Sequence, residues 1–97
     1  MRFTTQSFQD LEALDDYLSD TSPSGLKNVL LALKKTLRTI EQYPLSGRQS
    51  ENPEVRIAIE PKYKYLIPYH IDGESVWILR IYHPRRRPLD YLSLSLP

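Results

Sequence analysis

The hydrophobic residues of this chain recur with two different periods, and the period changes near residue 50. In residues 6–20 and again in residues 23–43, apolar side chains follow one another at steps of three and four, with charged residues between them. This spacing places the apolar residues on one face of a helix. The first half of the chain therefore predicts two amphipathic helices. Their apolar positions are Phe8, Leu11, Leu14 and Leu18 in the first helix, and Leu26, Val29, Leu30, Leu33, Leu37 and Ile40 in the second.

Polar residues at the ends of these segments predict where each helix begins and ends. Thr4 or Thr5 is placed to cap the first helix, and Ser22 followed by Pro23 is a favourable start for the second. A proline and a glycine soon after Tyr43 predict that the second helix ends there. Because the connection between the helices is so short, we expect an antiparallel helical hairpin.

Beyond a polar loop at residues 44–54, apolar and polar residues alternate, which is the period of a half-buried strand. Three strands are predicted here, and Asp72-Gly73 between the last two is a strong hairpin signal. Pro68 lies inside the middle strand; because proline cannot donate to a ladder, it predicts a bulge or an exposed sheet edge there. The predicted strands are residues 55–60, 64–71 and 75–82, preceded by a short one at residues 2–5.

The order of these elements is β-α-α-β-β-β. It predicts an α+β fold in which an antiparallel helical hairpin packs on a twisted antiparallel sheet. A chain of 97 residues suits a single domain, residues 1–97. We expect residues 89–97 to form a C-terminal tail that either adds a strand or helical turn, or stays mobile until a partner orders it.

Composition and charge narrow the classes of function. The formal net charge is +1, so the chain is not a bulk polycation, and any anion binding must come from local clusters of bases. The absence of cysteine excludes disulfides, thiolate metal sites and a cysteine nucleophile, and we expect no cofactor and no metal. No apolar run approaches the roughly 18 residues of a membrane span, and no apolar signal core opens the chain. We therefore expect a cytoplasmic protein with no membrane partner.

The densest local charge follows the last predicted strand. Arg85, Arg86 and Arg87 stand between two prolines, directly after the apolar stretch "WILRIYH". Adjacent fixed charges repel one another, and the planar guanidinium favours carboxylate or phosphate partners. We interpret the cluster as part of a basic patch that binds a target or an antitoxin, with a merely solvated exit from the sheet as the alternative. Arg56 and Arg80 complete this predicted patch.

The order and spacing of several segments resemble the RelE/ParE superfamily of toxins from bacterial type II toxin–antitoxin systems. These segments are the first-helix pattern "FQDLEALDDYL", the second-helix end "IEQYPLSGR", the "EVR" that opens the sheet, and the stretch "YLIPYHIDGESVWILRIYHPRR". The resemblance spans residues 3–88. It implies a small toxin that is neutralised by a cognate ParD- or RelB-like antitoxin, whose extended and helical C-terminal segment wraps over the toxin in a hetero-oligomer.

The two main branches of this superfamily differ in mechanism. RelE-like members cleave mRNA on the ribosome, whereas ParE-like members poison DNA gyrase. In RelE-like nucleases the third strand commonly reads Tyr-Arg-Leu-Val-Tyr, and its arginine serves the scissile phosphate. Here Leu66 stands at the matching place, in the stretch Tyr65-Leu66-Ile67-Pro68-Tyr69. A leucine cannot stabilise the charge that develops on a phosphate. The resemblance therefore favours the ParE-like branch, with DNA gyrase as the target.

Two alternatives remain open. A ribosome-dependent mRNA endonuclease would use His83 for acid–base chemistry, Arg86 for phosphate contact and Tyr91 as the C-terminal aromatic of the family. A histidine at the end of a strand, however, more often has a structural role. In the other alternative, a toxin-like domain has lost its toxicity and serves only to bind an antitoxin.

Overall fold

A computed structural model describes residues 1–85 and 88–97. In it the helical hairpin covers one face of a five-stranded sheet with the strand order β1-β5-β4-β3-β2, which confirms the predicted α+β class. None of the helices in these two ranges is long and apolar enough to cross a bilayer. The elements are β1 (Arg2–Phe3), α1 (Thr5–Thr21), α2 (Pro23–Gln42), β2 (Arg48–Gln49), β3 (Arg56–Ile59), β4 (Leu66–Asp72), β5 (Ser75–Ile78) and a 3₁₀ turn (Tyr91–Ser93).

Both helices begin where the sequence predicts. The Thr4 side chain accepts the N–H of Ser7 at 3.1 Å and so caps α1. The Ser22 hydroxyl accepts the N–H of Gly25 at 3.2 Å, and Pro23 follows it as the first residue of α2. Each cap satisfies an amide that has no partner within its own helix. These contacts join residues only three positions apart, so the sequence alone is enough to predict them.

The sheet is mixed, whereas the sequence predicted an antiparallel one. Short turns make β3, β4 and β5 antiparallel, and Gly73 with φ of +61° forms part of the turn between β4 and β5. The first strand instead pairs parallel with β5. A short turn would force two strands to run antiparallel, but a long stretch of chain that includes the helical hairpin separates β1 from β5, so the parallel direction is possible. The predicted polar loop also contains β2, which pairs with β3 at the sheet edge.

The predicted effect of Pro68 is half right. Pro68 is buried in β4, the central strand, so no sheet edge is exposed there. Its carbonyl accepts the N–H of Leu79 at 2.9 Å, but proline has no N–H to return that bond. The Leu79 carbonyl instead accepts the hydroxyl of Thr4 at 2.9 Å. A side chain from the start of α1 thus compensates for a proline in the middle of the sheet.

A β-bulge does occur, but on the strand that faces Pro68. Tyr69 pairs with Ile78 and Leu66 pairs with Tyr82, so β4 advances three residues while the opposite strand advances four. The additional residue falls in the segment that follows β5, around Arg80. Such a bulge leaves an amide outside the ladder and bends the strand. It therefore changes the direction in which the chain leaves the sheet.

The core lies between the hairpin and the sheet. Of the apolar positions predicted for α1, Leu14 is buried, whereas Phe8 is 52% exposed because the first helical turn lies over the edge strand β1 and packs on Phe3. The buried cluster consists of Leu14, Val29, Leu33, Ile40, Ile67, Tyr69, Val76, Ile78 and Ile81. Helices cover this face only, so the opposite face of the sheet depends on other segments for its cover.

Candidate functional site

Arg80, predicted as part of the basic patch, is bound to an acid of α1. Its Nε and Nη2 donate to the two carboxylate oxygens of Asp10 at 2.7 and 3.0 Å. One of these oxygens also accepts the N–H of Ile81 at 3.0 Å, which satisfies an amide of the bulge. The hydrogen bonds to Asp10 raise the pKa of the Arg80 guanidinium, against the opposing effect of burial. The charge of Arg80 is therefore largely compensated within the fold.

Arg56 is likewise used to hold the chain together. Its Nη1 donates to the carbonyl of Gly47 at 2.8 Å, in the loop between α2 and β2. The same loop is bound by the buried Tyr69, whose hydroxyl donates to the Pro44 carbonyl at 2.5 Å and accepts the N–H of Gly47 at 2.9 Å. A Cβ on residue 47 would collide with the Tyr69 hydroxyl, which explains the glycine. These contacts fix the position of β2 at the edge of the sheet.

The arginine cluster is described only at its first residue. Arg85 is exposed, and its backbone N–H donates to Nδ1 of His83 at 3.1 Å. Arg86 and Arg87, the other two predicted members, lie outside the described residues. The role of the cluster in binding a target stays a prediction.

His83, the candidate acid–base residue, is engaged at both ring nitrogens. Because Nδ1 accepts the N–H of Arg85, Nε2 carries the proton and donates to the carbonyl of Tyr63 at 3.1 Å. The imidazole also meets the ring of Tyr65 edge-on, with centroids 5.0 Å apart. A reaction at His83 would first have to break one of these backbone contacts. The arrangement is that of a structural histidine.

Tyr91, the candidate C-terminal aromatic, lies elsewhere. It is half-buried, and its carbonyl accepts the side-chain amide of Asn52 at 2.9 Å. Burial raises the pKa of its hydroxyl, the nearby Arg48 acts against this, and Tyr82 and Glu51 act with it. A raised pKa disfavours the tyrosinate form that a general base would need.

The structure does not bring the described nuclease candidates together. His83 lines small cavities with residues of both helices, such as Leu14 of α1 and Val29 of α2, on the helical side of the sheet. Tyr91 does not line these cavities; its carbonyl is bound to Asn52, and Arg48 and Tyr82 act on the pKa of its hydroxyl. Within residues 1–85 and 88–97, no group of three or more His, Asp or Glu side chains is placed to hold a metal ion.

An open groove of about 790 Å³ lies between α2 and the edge of β3. Leu31 on the helix and Ile59 on the strand line it and are 56% and 48% exposed, which is unusual for large apolar side chains. This groove could not be predicted from the sequence, because Leu31 and Ile59 lie in segments whose patterns are those of an ordinary helix and strand. Its other apolar lining residues are Ala32, Ile40, Ile57, Ala58 and Pro61.

One wall of the groove is a free strand edge. Strand β2 pairs with Arg56 and Ile57, and among residues 1–85 and 88–97 no other strand pairs with the rest of β3 on that side. The N–H of Glu60 points to β4, where it donates to the carbonyl of Tyr65 at 2.8 Å. Because successive residues of a strand point to opposite sides, the N–H and C=O of Ile59 face the free edge. An extended segment of another chain can pair there.

The charges around the groove are mostly positive. Lys35, Arg48 and Lys62 lie at its margin. The acid of the lining, Glu60, is buried, and its carboxylate accepts the backbone N–H groups of Lys62 at 2.6 Å and Tyr63 at 2.7 Å. The groove therefore suits a polypeptide with apolar residues along one side and acidic residues flanking them.

Comparison with known families agrees with this protein-binding geometry. Residues 1–88 match the family described as "ParE toxin of type II toxin-antitoxin system, parDE". The chain belongs to the ParE toxin family. The match covers nearly the whole chain and leaves out the last nine residues, which are the tail predicted at residues 89–97.

Two relatives place this ParE-family toxin within the wider superfamily. Toxin RelE2 of Caulobacter vibrioides is 30% identical over 84 residues, which cover 87% of this chain and 93% of that protein. A solved structure of the chromosomal ParDE toxin–antitoxin system from P. aeruginosa matches with a TM-score of 0.73 and 25% identity, over 84% of this chain and 91% of that chain. Both confirm a toxin of the RelE/ParE superfamily, and the latter supports a cognate antitoxin as partner.

Proposed function

We propose that this ParE-family toxin inhibits growth by binding DNA gyrase in the cytoplasm, as a protein–protein inhibitor. The observation that carries the proposal is the state of the acid–base candidate: both nitrogens of His83 are bound to backbone groups of the fold. Leu66, at the place of a catalytic arginine in the RelE-like pattern, supports the same reading. On this proposal the arginine cluster at residues 85–87 binds an acidic surface of the target, and no acid–base chemistry is required of His83.

The test is a supercoiling assay with purified gyrase and antitoxin-free protein. We expect loss of negative supercoiling and accumulation of gyrase–DNA cleavage complexes at toxin concentrations that leave a second topoisomerase unaffected. In cells, labelled precursors should show that DNA synthesis stops before RNA or protein synthesis. Normal supercoiling with protein that still arrests growth would refute the proposal. Absence of any growth defect would support the inactive, antitoxin-binding alternative.

The groove is proposed to receive the cognate antitoxin. Its exposed apolar walls, the free edge at Ile59 and the basic margin fit an acidic segment that adds a strand and packs apolar side chains against α2. Leu31→Glu should weaken antitoxin binding by at least about tenfold, because it places a charge in the apolar contact. Leu30→Glu is the matched control, since Leu30 is also exposed on α2 but does not line the groove. Equal effects of the two substitutions would place the antitoxin elsewhere.

A ribosome-dependent mRNA endonuclease is the second candidate, and one observation favours it. Arg48 and Tyr82 both act on the pKa of the Tyr91 hydroxyl, and arginine with tyrosine is a group set that RNA cleavage can use. Primer extension on ribosome-bound mRNA after toxin induction tests this candidate. If cleavage is found, His83→Ala separates the two possible centres: undiminished toxicity would exclude His83 and leave the tyrosines.

A further inference from the structure

The face of the sheet opposite the helices carries apolar residues that are buried although no helix covers them. Strand pairing places Ile57 beside Pro68, and Leu66 beside Tyr82. Alternation along β4 sets Pro68 on the face opposite to Tyr69, which packs beneath the helices. Ile57 is nevertheless only 2% exposed and Tyr82 only 8%. Another part of the chain must therefore cover this face.

The C-terminal segment is placed to provide that cover. Leu89, Tyr91 and Leu94 are half-buried, whereas Leu92 between them is 63% exposed, so the segment turns one side to the protein. Arg48 of β2 and Tyr82 are both near enough to act on the pKa of the Tyr91 hydroxyl, so Tyr91 lies towards the part of the sheet that carries them. The loop before β3 assists, because Asn52 donates its side-chain amide to the Tyr91 carbonyl at 2.9 Å.

The attachment of this segment is weak compared with the rest of the fold. Its other hydrogen bonds, between Asp90 and the neighbouring Leu92 and Ser93, are internal to the segment. Its cover also leaves a polar atom unsatisfied: the Tyr82 hydroxyl is buried and has no hydrogen-bond partner among the described residues. A buried hydroxyl without a partner opposes the closed arrangement, and access of water would relieve it.

We infer that residues 89–94 form a detachable strap, which closes over the helix-free face of the sheet and can open while the rest of the fold stays intact. The closed strap keeps apolar residues such as Ile57, Leu79 and Tyr82 from water. The open strap exposes them next to Arg48, so that the protein gains a second apolar and basic surface. Local opening of this kind occurs in regions of a protein that have few buried contacts and few hydrogen bonds.

Hydrogen–deuterium exchange of the full chain tests this inference. The amides of Leu66 and Tyr82, each bonded to the other residue's carbonyl at 2.6 and 2.9 Å, report on the covered face. Tyr91→Ala should accelerate their exchange by about tenfold, with core amides of α2 such as Leu33 unchanged. Leu92→Ala is the matched control, because this exposed neighbour should leave the exchange at wild-type rates.

A second substitution removes the hydrogen bond to Tyr91 and places a carboxylate oxygen against the Tyr91 carbonyl. Asn52→Asp keeps the oxygen that accepts the N–H of Glu54 at 2.9 Å but loses the amide donor to Tyr91. We expect exchange at Leu66 and Tyr82 to accelerate by about threefold. Unchanged exchange in both Tyr91→Ala and Asn52→Asp would show that the segment does not cover this face. Equal acceleration of the α2 amides would show that it belongs to the global core, and either result would overturn the strap.

Discussion

Replacing Asp10 by Ala should destabilise the protein by about 3 kcal/mol, because three hydrogen bonds between α1 and the bulge end on this one carboxylate. The substitution removes both oxygens that Arg80 contacts and the acceptor of the Ile81 amide. It therefore leaves a guanidinium and a backbone N–H without their partners at the junction of helix and sheet. A surface acid of the same helix has no comparable set of contacts.

The magnitude follows from the burial of the pair. Truncating one member of a fully buried ion pair costs about 3–5 kcal/mol, and an orphaned buried amide about 1–3 kcal/mol. The side chains of Arg80 and Asp10 are 19% and 14% exposed, so water can partly replace the lost contacts. The expected loss of stability is therefore smaller than the sum of these two costs. For a domain of this length, about 3 kcal/mol corresponds to a fall in Tm of about 15 °C.

Urea and thermal unfolding followed by circular dichroism provide the assay, with two matched variants. Asp10→Asn keeps an oxygen for the Ile81 amide and should lose about half as much stability, whereas the exposed Asp15→Ala should stay within about 0.5 kcal/mol of wild type. A double-mutant cycle with Arg80→Ala should give a coupling energy above about 1 kcal/mol. A loss below about 1 kcal/mol for Asp10→Ala, or no coupling, would refute the reasoning.

Three further predictions concern the loop, the arginine cluster and the strap. Tyr69→Phe leaves the buried Gly47 amide without an acceptor and should cost about 2 kcal/mol in urea unfolding; a loss under about 0.5 kcal/mol would contradict this. Replacing residues 85–87 together by alanine should abolish gyrase inhibition and change the free energy of unfolding by less than about 0.5 kcal/mol. The matched control replaces three exposed basic residues of α2 by alanine. A loss of folding in the first variant would show that the arginine cluster has a structural role. Burial raises the pKa of the Tyr91 hydroxyl in the folded state, so the neutral hydroxyl contributes to stability below the unfolded pKa of about 10, and this contribution is lost at higher pH. Between pH 9 and 11 the free energy of unfolding should therefore fall more for wild type than for Tyr91→Phe. Parallel pH dependences of the two proteins would contradict burial of the hydroxyl.

The parts of the fold that were predicted correctly depend on contacts between residues close in the chain. Thr4 and Ser22 cap amides three positions away, and Gly73 adopts the positive φ that the hairpin turn requires. The hydrophobic periods likewise identified both helices and the main strands, because they state which side of each element is apolar. The RelE/ParE resemblance rested on the order of these same elements, and the family match confirms it.

The site could be predicted only in part, because the role of a charged side chain depends on what it meets. Arg56 and Arg80 look like members of a basic patch in the sequence, yet one binds backbone carbonyls and the other binds Asp10. His83 looks like an acid–base candidate, yet its ring bridges two backbone groups. Nothing in the sequence marked Asp10 among the other acids of its helix.

By itself the sequence determined the periods, the caps, the turns and the family, since each of these is carried by neighbouring residues or by their order. Only the tertiary structure decided the parallel pairing of β1, the bulge opposite Pro68, the groove beside Ile59 and the contact of the C-terminal segment with Asn52. These features join residues up to about 75 positions apart, as when the Thr4 hydroxyl replaces the donor that Pro68 lacks. Local patterns state what each element needs to bury or to bond, but packing selects which distant residue provides it.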